Sequence, residues 1–173
     1  MRHLVIGGAR SGKSRFAQDL ALAHSGEVCL IVTAEVLDAE MAERVAKHRA
    51  ERPANWRVVE APLALPAAIR SEAQAGACVL VDCLTLWLSN ILCTQPDTLP
   101  AQLEDLSAAV ASAQGTLLMV SNEVGWSIVP ENKLARLFRD EQGRLNQQLA
   151  RLCDKVTLVA AGLPLHLKTG AAR

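Results

Sequence analysis

Three features of the sequence predict an α/β fold with a mainly parallel sheet and helices on both faces. Apolar runs such as Glu27–Ala34 (EVCLIVTA) and Cys78–Cys83 (CVLVDC) lack the in–out alternation of a half-exposed strand, so they read as strands buried on both sides. Segments with apolar residues at helical spacing separate these runs, and strands that alternate with helices pair in parallel through crossovers. The third feature is Gly7–Ser14, GGARSGKS, a glycine-rich link between the first apolar run and the first helical pattern. At 173 residues, without repeats or a linker-like stretch, the chain is expected to form one domain over residues 1–173.

The elements follow in order. Leu4–Ile6 is a short strand. From Gly12 to His24, Phe16, Leu20 and Ala23 recur at helical spacing, and Gly26 breaks the pattern. Glu27–Ala34 is the second strand. Asp38 caps a helix expected to run to Arg52, which Pro53 stops by disfavouring helix in the residue before it. Asn55–Glu60 holds a short strand and Leu65–Ala75 an alanine-rich helix. Cys78–Cys83 is a strand, Leu84–Leu92 a helix, Thr94–Pro100 a loop and Ala101–Ala113 a helix. Thr116–Val120 is a strand followed by Ser121-Asn122-Glu123, and Val124–Asn132 is a loop with Gly125 and Pro130. Lys133–Cys153 is a long amphipathic helix, Val156–Ala160 a strand and Leu163–Lys168 a last short strand after Gly162. Ligands of such sheets bind at the carboxyl ends of strands, where Gly7, Thr33, Asp82 and Asn122-Glu123 fall.

Composition narrows the function. Basic and acidic residues balance at 18 each, without the basic excess of a nucleic-acid binder. Three Trp, two Phe and no Tyr do not make a base-stacking platform. The five cysteines form no C-x-x-C pair and sit mostly in apolar runs, as reduced buried thiols of a cytoplasmic protein do. The four histidines lie too far apart in sequence for metal-ligand spacing. The glycine-rich loop begins after six residues, which leaves no room for a signal peptide, and no apolar run is long enough for a membrane span.

Gly7, Gly12, Lys13 and Ser14 match G-x-x-x-x-G-K-[ST], the P-loop. Gly8, Ala9, Arg10 and Ser11 complete a loop whose backbone N–H groups can face phosphate oxygens, aided by the positive end of the following helix. Lys13 is expected on the β/γ-phosphates, and the Ser14 hydroxyl on Mg²⁺. Asp82 ends an apolar strand, as the aspartate that helps hold such a metal does. Asn132-Lys133 continues as Leu-Ala, so the N-K-x-D guanine-reading motif of switch GTPases is missing. In the Asp38–Arg52 helix, Arg44, His48 and Arg52 stand at i, i+4 and i+8 on one face, flanked by Lys47 and Arg49. That face is either a solvated basic stripe or an anion-facing surface whose histidine attacks phosphorus.

The sequence resembles the bifunctional adenosylcobinamide kinase / adenosylcobinamide-phosphate guanylyltransferase family of cobalamin biosynthesis over nearly its whole length. The resemblance runs through GGARSGKSRFAQ, the segment Thr33–Met41, KHRAERPANWRVVEAP, VDCLTLWLSN and VSNEVGWSIVPENKLARLFRDEQGRLNQ. The P-loop is generic; the string Ser121–Gln147 and the H-R-x-x-R-P segment are specific. Leu30 stands where relatives often carry an aromatic, and Val32 where they carry a small residue.

The resemblance implies two reactions. A nucleoside triphosphate phosphorylates the aminopropanol hydroxyl of adenosylcobinamide. GTP then transfers GMP to that phosphate, giving adenosylcobinamide-GDP and pyrophosphate. The family's guanylylated histidine falls on His48. Its nucleotide contacts fall on Gly7–Ser14, on Val32, Thr33 and Ala34, on Arg49, Ala50, Glu51 and Arg52, and on Glu60 and Asp82. GTP and ATP are the implied substrates, with Mg²⁺ held at Ser14 and Asp82, in a cytoplasmic homotrimer. For the kinase step, Glu123 or Asp82 is expected to align the substrate hydroxyl. The competing readings are a plain P-loop kinase of a small molecule, with His48 structural, and a nucleotide-dependent binding module.

Overall fold

The computed structural model describes residues 1–35 and 55–170. Seven strands form one sheet: β1 (Arg2–Gly7), β2 (Val28–Val32), β3 (Arg57–Glu60), β4 (Cys78–Asp82), β5 (Thr116–Asn122), β6 (Lys155–Ala160) and β7 (Leu163–Lys168). Their spatial order is β3-β2-β4-β5-β1-β6-β7, and every pairing is parallel except β6 with β7. The described helices are α1 (Lys13–Leu22), α2 (Leu65–Glu72), α3 (Leu84–Thr94), α4 (Leu99–Ser112) and α5 (Lys133–Leu152). The helix expected over Asp38–Arg52 lies outside the described residues.

The continuous apolar runs have a direct cause. Val5, Leu30, Leu80, Leu118 and Val120 face α1 through Ala17 and Ala21. Their strand neighbours Leu4, Ile31, Val79, Val81, Leu117 and Met119 join the larger core with α2, α3, α4 and α5. Each central strand is therefore covered on both sides and has no polar face to show. Trp87 of α3 is wholly buried, and its indole N–H donates to the Leu63 carbonyl at 3.0 Å.

Two boundaries differ from expectation in ways that matter. β5 continues past Val120, because Ser121 and Asn122 pair with Ile6 and Gly7 of β1. The Thr94–Pro100 segment is not all loop: a short 3-10 turn covers Pro96–Thr98 and α4 begins at Leu99. Pro100 sits in that first turn, where the missing N–H costs nothing. α5 starts where Asn132 accepts hydrogen bonds from the backbone N–H groups of Leu134 and Ala135 at 2.8 and 3.2 Å.

Candidate active site

β1 delivers the P-loop to the carboxyl edge of the sheet. Gly7 ends that strand with no space for a side chain, since a Cβ there would stand 2.5 Å from both the Ser11 Oγ and the Val159 carbonyl oxygen. Arg10 adopts φ 56° and Gly12 φ 93°, so the loop reverses twice through the left-handed region. Glycine reaches that region without steric cost; Arg10 is a non-glycine residue held there in the loop. Gly12 leads directly into α1 and no side chain caps its amino end, which leaves the helix N–H groups facing outward. That is an anion-binding arrangement.

A second loop supports the first. The Gly162 N–H donates to the Ser11 carbonyl at 2.9 Å, and a Cβ on Gly12 would come within 3.2 Å of the Gly162 Cα. The sequence marks Gly162 only as a break between strands; its role as the floor of the P-loop comes from the β6–β1 pairing.

Lys13 is 9% exposed, and its ammonium donates to the Gly8 carbonyl at 3.0 Å. Burial lowers its pKa, and the Asp82 carboxylate acts in the opposite direction. Burial, with Asp82 beside it, lifts the Cys83 thiol to about 11, so it is protonated at neutral pH and Asp82 is the anion Lys13 faces there. Although Cys83 stands at the amino end of α3, its sulfur is therefore no nucleophile. The Ser11 hydroxyl is buried with no hydrogen-bond partner among the described residues. A buried hydroxyl left without an acceptor inside an anion-binding loop fits a phosphate oxygen.

Register gathers the residues that lie far apart in sequence. Val32 pairs with Asp82 on one side and with Glu60 on the other, placing three predicted nucleotide contacts in one row at the sheet edge. Thr33 builds this edge rather than offering a polar group: its hydroxyl donates to the Cys83 carbonyl at 2.7 Å and accepts from the Cys83 N–H at 3.0 Å. Its carbonyl takes an N–H from the Asn90 side chain at 2.8 Å. Ala34 lies just beyond, half-buried. His48, Arg49, Ala50, Glu51 and Arg52 lie outside the described residues.

Between β4 and β1, β5 brings Asn122 opposite Gly7, and the Glu123 N–H donates to the Gly7 carbonyl at 3.0 Å. A buried polar group, unforeseen in the sequence, fixes this strand end. The Asn122 N–H donates to Thr85 Oγ1 at 2.8 Å and its carbonyl accepts from Asn146 Nδ2 at 3.0 Å. Ser121 and Gln142 complete the group through Asn146 Oδ1. Gln142 and Asn146 sit at i and i+4 among the buried positions of α5, a polar pair on an apolar stripe that is the readable sign of such a network.

The donor set suits Mg²⁺. Ser14 in the first turn of α1 and Asp82 at the end of β4 offer a hydroxyl and a carboxylate, hard oxygen ligands. Among the described residues no three His, Cys, Asp or Glu side chains cluster as a metal site. Of the five cysteines, Cys29, Cys78 and Cys153 are buried as expected, while Cys83 is half-buried and Cys93 exposed. A hollow lined by Ala21, His24, Gly26 and Trp56 opens at the amino end of β2, away from this edge.

The family model described as cobinamide kinase / cobinamide phosphate guanyltransferase matches residues 3–167. The bifunctional adenosylcobalamin biosynthesis protein CobP of Pseudomonas aeruginosa is 51% identical over 169 residues, covering 97% of this chain and 98% of that protein. The corresponding CobU proteins of Escherichia coli and Salmonella typhimurium are 40% and 37% identical, each covering 97% of this chain and all of the relative. A solved protein of Pyrococcus horikoshii OT3 shares the fold at a TM-score of 0.56 and 9% identity, over 97% of this chain and 86% of that one.

Proposed function

The chain belongs to the cobinamide kinase / cobinamide phosphate guanyltransferase family, and we propose that both reactions of that family use the one strand edge described above. The protein is a bifunctional enzyme of adenosylcobalamin biosynthesis: it phosphorylates cobinamide and then guanylylates cobinamide phosphate. The observation that carries the shared-edge reading is that Asp82 ends β4, Glu123 follows β5 and the P-loop with Lys13 follows β1, three adjacent parallel strands ending at one edge of the sheet. Lys13 stabilises charge on the β/γ-phosphates, which belong to the donor in the first reaction and to the leaving pyrophosphate in the second. Ser14 and Asp82 are the residues to hold Mg²⁺, which when bound neutralises phosphate charge.

In the kinase step the substrate hydroxyl loses its proton and attacks the γ-phosphorus of GTP or ATP, releasing the nucleoside diphosphate. Phosphoryl transfer asks the protein mainly for position and charge, and Glu123 or Asp82 aligns the hydroxyl. In the second step the neutral imidazole of His48 attacks the α-phosphorus of GTP, and pyrophosphate leaves into the P-loop. Cobinamide phosphate then displaces the histidine and takes GMP. Arg44 and Arg52, at one-turn spacing from His48 in the sequence, support this by holding phosphate oxygens. The nucleotide contacts are Gly7–Ser14, Val32–Ala34, Arg49–Arg52, Glu60 and Asp82.

The whole chain, residues 1–173, acts as one catalytic domain in the cytoplasm, where its nucleotides are. Exposed Leu163, Leu165 and Leu167 alternate on one face of the edge strand β7, and this unpartnered apolar stripe supports assembly into the homotrimer.

Incubation with GTP labelled on the α-phosphate, without cobinamide, tests the histidine step. Label is expected to stay on the denatured chain in alkali, to leave in acid, and to be absent from His48→Asn. That variant should still phosphorylate cobinamide. Full labelling of His48→Asn moves the nucleophile elsewhere.

A further inference from the structure

We propose that the loop joining β5 to α5 is the seat of the corrinoid, with Trp126, Ile128 and Val129 taking one face of the macrocycle while its hydroxyl arm reaches the P-loop. The inference rests on the kinase and guanylyltransferase reading above and names the second-substrate subsite of that same edge.

Trp126, Ile128 and Val129 are 77%, 94% and 59% exposed, within four residues of one another. Leu134 and Leu137, at the start of α5, are also exposed. Large apolar side chains grouped in solvent mark a surface that something covers. They are not the tip of a fraying loop. The first turn is held by the Gly125 N–H donating to the Glu123 carboxylate at 2.6 Å, and the Ser127 hydroxyl donates to the Val124 carbonyl. The far end is held by the Arg136 guanidinium, which donates to the Pro130 and Glu131 carbonyls, and by the Asn132 cap. The protein therefore orders a loop and leaves its apolar groups uncovered.

Position identifies the occupant. The loop leaves β5 at Asn122, opposite Gly7, and the next residue is hydrogen-bonded to Gly7 itself. With at most about 3.6 Å per residue, Trp126 stands within about 15 Å of that strand end. The nucleotide contacts proposed above lie on the P-loop, at the ends of β2, β3 and β4 and on Arg49–Arg52, and none of them falls on this loop. The other substrate is a broad ring system with apolar faces and a neutral amide rim, carrying the reacting hydroxyl on a flexible arm. Such a molecule cannot enter the P-loop and must lie beside it with the arm inward. An indole offers a large flat surface with little entropy to lose, which suits a ring face. The alternating leucines of β7 run back along an edge strand away from the strand ends, and do not meet that requirement.

The test uses the full-length enzyme with the single variants Trp126→Ala and Ile128→Ser. Both side chains are largely in solvent, so thermal melts should match the wild type. Steady-state kinase kinetics should show KM for cobinamide raised on the order of 10-fold, about 1.4 kcal/mol of lost binding. KM for the nucleotide, self-labelling by GTP without cobinamide and the sedimentation coefficient should stay unchanged. Trp126→Phe, which keeps a flat ring, should recover most of the affinity. An unchanged cobinamide KM in both alanine and serine variants overturns the proposal. So does a changed sedimentation coefficient with nucleotide and cobinamide affected alike, which makes the patch a contact between copies. A wild-type enzyme that fails to phosphorylate cobinamide overturns the functional reading itself; wild-type turnover with unaffected variants overturns this inference alone.

Discussion

The Lys13 ammonium donates to the carbonyl of Gly8 at 3.0 Å, so the P-loop holds its own lysine by one of its backbone oxygens. A phosphate entering the loop offers that ammonium a charged acceptor in place of a neutral one. The exchange strengthens as charge builds on the phosphates in the transition state. Lys13→Ala should therefore lower the turnover of both reactions by about 10²–10³. It should not unfold the protein, because it removes a partly desolvated charge rather than a packed apolar group. Single-turnover assays of cobinamide phosphorylation and of self-labelling by GTP, beside a thermal melt, check both halves. Near-wild-type turnover from a folded variant removes Lys13 from the phosphate site.

Asp82 and Glu123 end β4 and begin the loop after β5, and their substitution should separate two roles. Asp82→Asn should shift the Mg²⁺ dependence of both reactions to higher metal concentration, since an amide binds a hard cation less well than a carboxylate does. Glu123→Gln should slow cobinamide phosphorylation and spare self-labelling by GTP, which has no substrate hydroxyl to align. A Mg²⁺ titration of each variant in each assay is the measurement. Identical titrations for Asp82→Asn and wild type leave that residue a strand-end turn.

Glycines of one loop should differ sharply in tolerance. A methyl at Gly7 meets the Val159 carbonyl and the Ser11 hydroxyl at 2.5 Å, whereas a methyl at Gly8 meets nothing within 4 Å. Gly7→Ala is expected to lose about 1–3 kcal/mol by overpacking, and Gly8→Ala to stay close to wild type. Urea midpoints at constant m-value give the comparison. Equal midpoints for the two variants contradict the close approach of β6 to β1.

A pH effect on stability should come from His3. It is buried, its Nε2 lies 2.8 Å from Thr157 Oγ1, and Thr157 Oγ1 lies 3.0 Å from His166 Nδ1. Burial, and after it the charges of Lys155 and His166, lower its pKa from 6.5 to about 4. Below pH 6.5 the unfolded chain takes a proton that the folded chain refuses until about pH 4. This contribution to stability is complete above pH 6.5 and falls through that window as the pH drops. The gap caps the loss at about 3 kcal/mol. Denaturation curves between pH 7 and 4 should show a shallower decline in His3→Gln than in wild type; parallel declines assign the slope to other groups.

Much of the site was legible because its motif is local. G-x-x-x-x-G-K-[ST] spans eight consecutive residues, so the loop is readable from residue order alone. The place of Asp82 at a strand end was legible from the apolar run before it. The support of Gly162, the clasp of Thr33 on Cys83 and the Thr85–Asn122–Asn146 network were not. Each joins residues at least 24 positions apart, and no spacing within a single element announces such pairs. The end of β5 was missed for the same reason, since Ser121 and Asn122 are polar and become strand only through pairing with β1.

The sequence by itself determined the alternation of strands and helices, the phosphate loop and the family. Those depend on residue type at short range: apolar runs that must be buried on both faces, helical spacing between them, and glycines where the loop turns back. Only the tertiary structure decided which strand ends stand together. Inserting β5 between β1 and β4 sets Asn122 opposite Gly7 and Val120 opposite Asp82, and it roots the exposed Trp126 loop at the edge that carries Lys13. The physical reason is that strand order follows from how whole faces bury one another and how crossovers close, a property of the sheet that no single segment contains.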